Sequence, residues 1–242
     1  MAAALLGRDA QLAELGQAVE RARRGTGTLL LLSGEAGVGK TRLSDEAGAA
    51  SGVLVLRGAA SSSAVSPYGP VVAALRAYLR LRPCAFPGLG ALRAHLALLL
   101  PELGEQAPAG DRATIFEAIR AALAEIGEPA LVVLDDLQWS DEATLELLAG
   151  LAPCLDDLPL VVLCAYRSDG LPRDHKLRWL RNELRRGSGL HELALMPLDL
   201  GETASCSRAC CPSGPRPRCP SRSTTARKAC RSSSRSSPAR SW

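Results

Sequence analysis

Apolar and polar residues form segments of two kinds along this chain. Apolar positions recur every three or four residues in segments that predict helices, whereas short continuous apolar runs predict buried strands. The predicted helices occupy residues 8–24, 40–50, 70–82, 89–100, 111–127, 141–152 and 173–186. The predicted strands occupy residues 28–33, 53–57, 130–134, 160–166 and 190–195. Strands that alternate with helices predict an α/β fold, in which a parallel sheet is flanked by helices.

Two regions depart from this alternation. Between residues 58 and 128, a loop rich in Ser, Ala, Gly and Pro precedes three of the predicted helices, with no strand among them, which predicts a helical insertion. Residues 203–242 contain 11 Ser but no Leu, Val or Ile, so they lack the side chains that form a core. We therefore expect one domain over residues 1–202 and a disordered tail over residues 203–242.

The excess positive charge lies entirely in this tail. Residues 203–242 hold nine of the 29 Lys and Arg residues and none of the 25 Asp and Glu residues, so the remainder carries a net charge of −5. The pooled charge of +4 would suggest nucleic-acid binding, but a mildly acidic body gives that function no support. We expect no direct nucleic-acid binding by this chain.

Location and thiol chemistry follow from the absence of several patterns. No run of 18 apolar residues is present, so we expect no membrane span, and residues 1–6 are too short and uncharged for a signal peptide. A cytoplasmic protein is therefore expected. Cys154 and Cys164 lie in or near apolar segments and are expected to be buried. The five tail cysteines have no CxxC spacing and no nearby His, which argues against a zinc site.

The strongest chemical signal is a complete GxxxxGK[ST] motif between the first predicted strand and the next helix. Its glycines let backbone N–H groups face phosphates, and the helix N-terminus favours negative charge. Lys40 is expected to reach the β- and γ-phosphates, and the Thr41 hydroxyl is expected to hold Mg²⁺. The motif consists of Gly34, Glu35, Ala36, Gly37, Val38, Gly39, Lys40 and Thr41. It predicts that the chain binds ATP with Mg²⁺ as cofactors.

A pair of acids after the strand at 130–134 supports this prediction. A carboxylate at the end of a buried strand near the phosphate loop can hold Mg²⁺, and this Walker B role falls to Asp135. Asp136 is a candidate for orienting the attacking water, with a solvated strand end as the alternative. Arg167 follows the strand at 160–166 and is a candidate for contacting the γ-phosphate, with a surface arginine as the alternative. Trp139 is expected to pack against the following helix.

These segments together resemble the ATPase domain of STAND-type regulators, and in particular the LuxR-type large ATP-binding transcriptional regulators of bacteria. The resemblance covers roughly residues 5–202. It rests on a Gly-Arg-acid element, an SGEAGxGKTRL loop, a Pro-Tyr-Gly-Pro segment, an LVLDDLQWxDExxLELL motif with an extra valine, a strand ending in Tyr-Arg, and a Leu-x-Pro-Leu element. These lie at residues 6–9, 33–43, 67–70, 131–148, 166–167 and 195–198.

The resemblance implies roles that the residue types alone do not. It implies that Gly7 and Arg8 lie near the adenine, that Arg42 belongs to the cofactor-binding loop, and that Arg167 senses the γ-phosphate. It also implies a switch, closed with ADP and open with ATP, that controls a separate output, and it allows self-association in a full-length regulator. We keep two alternatives open: a free-standing ATPase, and an inert fragment that lacks the helices completing the nucleotide site.

The chain departs from the family pattern after about residue 203. The family continues with helices carrying a Gly-Leu-Pro-Leu element, a sensor region and a C-terminal helix-turn-helix. When residues 227–242 are back-translated with GC-favouring codons and read one base earlier, they give EGLPLFVEELARALL, which contains that element. We therefore expect that the loss of one base, or a sequencing error, near codon 204 truncated a longer regulator. A genuine basic tail is the alternative, and resequencing the gene distinguishes the two.

Overall fold

The computed structural model describes residues 7–63, 66–187 and 191–197. Within them lie five strands: β1 (Thr28–Gly34), β2 (Leu54–Ala59), β3 (Ala130–Asp135), β4 (Leu160–Arg167) and β5 (His191–Leu195). The same residues form the α-helices α1 (Asp9–Arg23), α2 (Lys40–Ser51), α3 (Gly69–Leu81), α4 (Leu92–Leu96), α5 (Arg112–Ala124), α6 (Glu142–Leu151) and α7 (Lys176–Arg186). The tail at 203–242, with the frame hypothesis that concerns it, lies outside the described residues.

The strands form one parallel sheet in the order β2–β3–β4–β1–β5, and helices cover it. This arrangement confirms the predicted α/β fold class. The order also shows that β3 does not neighbour β1, because β4 lies between them. The carboxylate at the end of β3 is therefore separated from the phosphate loop, which follows β1, by the width of one strand.

The sheet is buried on both faces, which explains why its strands are continuous apolar runs. Successive side chains of a strand point to opposite faces, so Leu29 and Leu31 of β1 pack on one side, whereas Leu30 and Leu32 pack on the other. The first face is covered by apolar residues of α3, α5, α6 and α7. The second face is covered by residues of α1 and α2, including Leu15 and Leu43, which are fully buried. Each leucine of β1 is thus buried between the sheet and the helices that cover one of its two faces.

The helical insertion between β2 and β3 contains α3, α4 and α5, as expected, but its middle helix is much shorter than predicted. The prediction over 89–100 is wrong at both ends, because α4 spans only Leu92–Leu96. The carbonyl of Ala94 accepts a hydrogen bond from the N–H of Ala107, while the N–H of Leu98 turns to His95. A contact from outside the helix therefore takes the acceptor that the next helical turn would use.

Several smaller expectations are settled in the described part of the chain. Cys164 is fully buried, and burial raises the pKa of its thiol, whereas Cys154 is only half-buried and so departs from the prediction. Trp139 is exposed over 46 % of its surface, and its packing against the following helix stays a prediction. Among the helices formed by the described residues, none has the length and apolar character needed to cross a membrane.

Candidate functional site

The carboxyl ends of the strands bring the predicted site residues to one edge of the sheet. Gly34 of β1 lies in register with Arg167 of β4 and with Leu195 of β5. At the same edge, Asp135 of β3 lies opposite Ala59 of β2. Ligands of open parallel sheets bind outside the carboxyl ends of the strands, so this edge is where a ligand is expected.

The loop between β1 and α2 depends on glycine at two positions. Gly37 has a φ of +78° and Gly39 a φ of +105°, conformations that residues with a Cβ rarely adopt. A Cβ added to either residue would meet no atom within 4 Å. The need for glycine is therefore conformational rather than steric. The open space beside these two residues is the side from which a ligand can approach the loop.

Lys40 is the first residue of α2, and its side chain folds back over the loop. Its ammonium group donates hydrogen bonds of 2.8 Å to the carbonyl of Gly34 and 2.9 Å to the carbonyl of Glu35. Burial and the nearby Arg167 lower the pKa of Lys40, while Asp169, Asp136 and Asp135 oppose that shift. The lysine is thus held at the loop by neutral carbonyls, which an anionic ligand can replace with stronger, charge-assisted hydrogen bonds.

Asp135 ends β3 and is mostly buried, with 21 % of its side chain exposed. Burial raises the pKa of this carboxyl group, while Arg57 of β2 opposes the shift from 3.9 Å away. Arg57 also contacts Asp45 of α2 at 2.5 Å and donates to the hydroxyl of Ser44 at 3.2 Å. Arg57 was not among the predicted site residues. In the sequence it is marked only as a charged residue at the end of a short apolar run.

Asp136 and Arg167 meet at this edge although they belong to different strand ends. The Arg167 Nε atom lies 3.7 Å from the Asp136 Oδ1 atom, and both side chains are roughly half exposed. Asp136 has a φ of +57°, which is uncommon outside glycine but tolerated by Asp. This left-handed residue turns the chain directly after β3, before a short 3₁₀ turn at Leu137–Trp139.

A residue of that turn, Gln138, links the two groups. Its side-chain amide donates a 2.8 Å hydrogen bond to Asp136 and accepts a 3.0 Å hydrogen bond from the main-chain N–H of Arg167. Only 8 % of its surface is exposed. Gln138 was not among the predicted site residues. A glutamine shortly after two aspartates is equally typical of a surface residue, so the sequence does not indicate that it is buried.

Eight of the predicted site residues line one cleft of about 310 Å³. They are Ala36, Gly37, Gly39, Lys40, Thr41, Arg42, Asp136 and Arg167. The cleft combines a loop of backbone N–H groups and a helix N-terminus with three cations, Lys40, Arg42 and Arg167, and one carboxylate. An electropositive cleft of this composition suits a polyanionic ligand.

The other predicted residues surround the cleft without lining it. Gly34 ends β1, Glu35 and Val38 belong to the loop that follows it, and Asp135 ends β3 immediately before Asp136. Arg8, of which only 6 % is exposed, donates a 2.6 Å hydrogen bond to the carbonyl of Met196 and makes a 3.5 Å contact to the carbonyl of Val38. Gly7 precedes it with a φ of +71°. The structure therefore places this pair against the back of the loop and the end of β5.

The side chains available as metal ligands limit which metal ions the described residues could hold. Among residues 7–63, 66–187 and 191–197, no group of three or more His, Cys, Asp or Glu side chains could hold a metal ion. A transition-metal cage is thus absent from that part of the chain. One hydroxyl, Thr41, and one carboxylate, Asp135, fit Mg²⁺, which is commonly held by one or two protein oxygens together with substrate phosphates.

Comparison with known proteins agrees with this geometry. A family model described as the AAA ATPase domain matches residues 4–163. No curated protein matches the chain. The matched residues include β1, β2 and β3 with the loop after β1, whereas Arg167 and β5 lie beyond them.

Solved structures resemble the chain at the level of the fold. Cdc6p from Pyrobaculum aerophilum matches with a TM-score of 0.51 and 16% identity, over 84% of this chain and 49% of that one. The Orc1 protein of Aeropyrum pernix, solved in complex with DNA, matches with a TM-score of 0.45 and 20% identity, over 85% of this chain and 49% of that one. RuvB of Thermotoga maritima, a Holliday junction branch migration motor, matches with a TM-score of 0.43 and 17% identity, over 84% and 50%. This chain spans about half the length of each.

Proposed function

Because this chain belongs to the AAA ATPase domain family, with a nucleotide-binding P-loop fold, we propose that it is an ATP- and Mg²⁺-binding switch module of a bacterial signalling or transcriptional regulator, with slow ATP hydrolysis. One observation carries the nucleotide part of the proposal. The glycine loop, Lys40, Thr41, Asp136 and Arg167 line the same cleft, although they come from separate parts of the chain. The regulatory part rests on the motif resemblance over residues 5–202.

Each side chain of the cleft has a role in this proposal. The N–H groups of the loop and the N-terminus of α2 bind the phosphates, and Lys40 exchanges the carbonyls of Gly34 and Glu35 for the β- and γ-phosphate oxygens. Arg167 contacts the γ-phosphate from the end of β4. Gly7 and Arg8 close the adenine side. Arg42, in the first turn of α2, also lines the cleft and completes the binding loop.

Thr41 and Asp135 are the residues that would hold Mg²⁺. When bound with the nucleotide, the ion neutralises phosphate charge that builds up during transfer. Asp135 is suited to this role because burial raises its pKa and leaves its charge poorly compensated by solvent. Arg57, 3.9 Å away, is the nearest charge that balances it.

Asp136 is proposed to orient the attacking water, and its contacts favour a slow reaction. One of its two carboxylate oxygens already accepts from Gln138 and lies near Arg167. That oxygen is therefore less available to accept a hydrogen bond from the attacking water. A switch requires slow turnover, whereas a free-standing ATPase, the alternative, requires a fast one.

Calorimetry with ATP and ADP in the presence of Mg²⁺ tests the proposal. We expect Lys40→Ala to weaken ATP binding by about 100-fold, or about 2.7 kcal/mol, without loss of the fold. Lys176→Ala is the matched control, because it removes the same charge from the exposed pair with Glu142. Equal affinities for the wild type and Lys40→Ala would contradict the site. Phosphate release well below about 1 s⁻¹ supports a switch, and release above that rate supports an enzyme.

A further inference from the structure

Gln138 makes two hydrogen bonds to residues that line the cleft. Its Nε2 atom donates to Asp136 Oδ1 at 2.8 Å, and its Oε1 atom accepts from the main-chain N–H of Arg167 at 3.0 Å. Asp136 and Arg167 both line the cleft, but Gln138 does not. A single buried side chain therefore joins the end of β3 to the end of β4.

The orientation of this amide follows from its partners. A carboxylate only accepts hydrogen bonds, and a main-chain N–H only donates one. Reversing the amide would bring oxygen against oxygen at Asp136 and N–H against N–H at Arg167. The side chain can thus satisfy both neighbours in one orientation alone, and this makes the bridge stiff.

The backbone of Gln138 is held as well. Its carbonyl lies 3.1 Å from the Nε2 atom of His175, at the start of α7. The other ring nitrogen of His175 accepts from the N–H of Leu177 at 3.2 Å and caps the helix. In the neutral imidazole the proton therefore resides on Nε2, which donates to the Gln138 carbonyl. The bridge is anchored to a helix that lies outside the cleft.

We propose that Gln138 is a positioning residue that holds Asp136 and Arg167 in a fixed relation on the γ-phosphate side of the nucleotide. This inference rests on the proposed function and deepens it. Gln138 does not itself line the cleft, so it acts through the two residues that it holds. Its loss should therefore affect ATP recognition and turnover, while the binding of ADP, which lacks the γ-phosphate, stays the same.

Two substitutions in the full chain separate the two hydrogen bonds. Gln138→Met is similar in length and removes both of them. Gln138→Glu keeps the acceptor for the Arg167 N–H but places a second carboxylate against Asp136. For Gln138→Met, we expect the ratio of ATP to ADP affinity to fall by about tenfold with ADP affinity within about twofold of the wild type. For Gln138→Glu, we expect the larger loss of kcat, with little change in KM.

A stability control distinguishes positioning from a general loss of fold. Asp111→Ala removes the side-chain cap of α5, which accepts from the N–H of Thr114 at 2.7 Å, far along the chain from the cleft residues. Loss of such a cap destabilises the helix that it begins. This variant should melt at a lower temperature but keep the wild-type ratio of ATP to ADP affinity. If Gln138→Met does not fold, Gln138→Asn serves in its place, because its shorter amide cannot span both partners.

The outcomes separate this inference from the proposed function. A reduced ATP to ADP ratio in the Gln138 variants, with an unchanged ratio in Asp111→Ala, supports the positioning role. Parallel losses for ATP and ADP, or no change in either, overturn it while the proposed function stands, provided that the wild type binds and Lys40→Ala does not. If the wild type binds neither nucleotide, the proposed function fails and the role of Gln138 fails with it.

Discussion

The guanidinium group of Arg8 donates a 2.6 Å hydrogen bond to the main-chain carbonyl of Met196, 188 positions further along the chain. Arg8 precedes α1, and Met196 follows β5, so this bond ties the start of the described chain to its last strand. The same side chain reaches the carbonyl of Val38 in the phosphate loop. The loop is therefore backed by two segments that are remote in sequence.

Removing this contact should weaken the fold and loosen the loop. We expect Arg8→Ala to lower the free energy of unfolding by about 1–2 kcal/mol, because a buried charged donor and its hydrogen bond are lost. Arg8→Lys retains a charge and one donor, so its loss should be smaller. Urea denaturation of the three proteins measures both effects. Superimposable unfolding curves for wild type and Arg8→Ala would show that the contact does not stabilise the fold.

The ionised carboxylate of Asp135 should lower the stability of the fold while it supports Mg²⁺ binding. Burial raises the pKa of its carboxyl group, so its contribution to stability is present below the unfolded pKa of about 3.9 and is lost as pH rises through the folded pKa. At pH 7 the ionised side chain thus weakens the fold. We expect Asp135→Asn to increase the free energy of unfolding, and to reduce the Mg²⁺-dependent gain in ATP affinity by about tenfold.

Asp45→Asn is the control for Asp135. Asp45 also pairs with Arg57, but its side chain is 61% exposed on α2. Loss of a surface ion pair costs at most about 1 kcal/mol, so this variant should not be more stable than the wild type. It should keep its Mg²⁺ dependence. Metal titrations followed by calorimetry compare the two variants, and identical behaviour of both would refute the role of Asp135.

Ionisation of Tyr166 should lower the stability of the fold at alkaline pH. Its hydroxyl donates a 2.8 Å hydrogen bond to Glu192, and burial together with this carboxylate raises the pKa of Tyr166 to about 12. The folded pKa lies above the unfolded value of about 10, so this contribution is complete below pH 10 and is lost as pH rises towards 12. We expect the free energy of unfolding of the wild type to fall by about 2 kcal/mol more than that of Tyr166→Phe across this window. Denaturation at each pH checks it, and parallel profiles would contradict it.

Gly39 should be required for its backbone conformation. Its φ of +105° would cost a residue with a Cβ about 1–2 kcal/mol, and relaxing it would turn the loop N–H groups away from the cleft. We expect Gly39→Ala to lose both stability and ATP affinity. Gly16→Ala is the opposite control, because Gly16 lies inside α1 with open space around it and should gain about 0.5–1 kcal/mol. Thermal unfolding with and without ATP distinguishes the two glycines.

The elements of the fold were largely predictable from local pattern. The leucine run of β1 predicted a strand covered on both faces, and the structure places alternate leucines in two separate cores. The cap of α6 by Asp141 also matches its acidic start in the sequence. The helix predicted over 89–100 failed because its shortening depends on a hydrogen bond from Ala107, which no local spacing encodes.

In the candidate site, too, some residues could be predicted from local pattern and others could not. The GxxxxGK[ST] loop could be recognised because its residues are consecutive, whereas Asp135 and Arg167 were predicted because each follows an apolar run, and their roles stay predictions. Gln138 and Arg57 could not, since a polar residue next to a strand has the same appearance whether it is buried between partners or solvated. The position of β4 between β1 and β3 was equally hidden.

Local pattern was enough to predict the α/β class, the number of strands in the described residues and the GxxxxGK[ST] loop, because hydrophobic periodicity and glycine conformation act within a few residues. The folded structure was needed to show which strand ends meet. It brought Asp136 within 3.7 Å of Arg167, placed Gln138 between them, and joined Arg8 to Met196. These relations depend on strand order and register, which are set by packing the whole sheet against its helices.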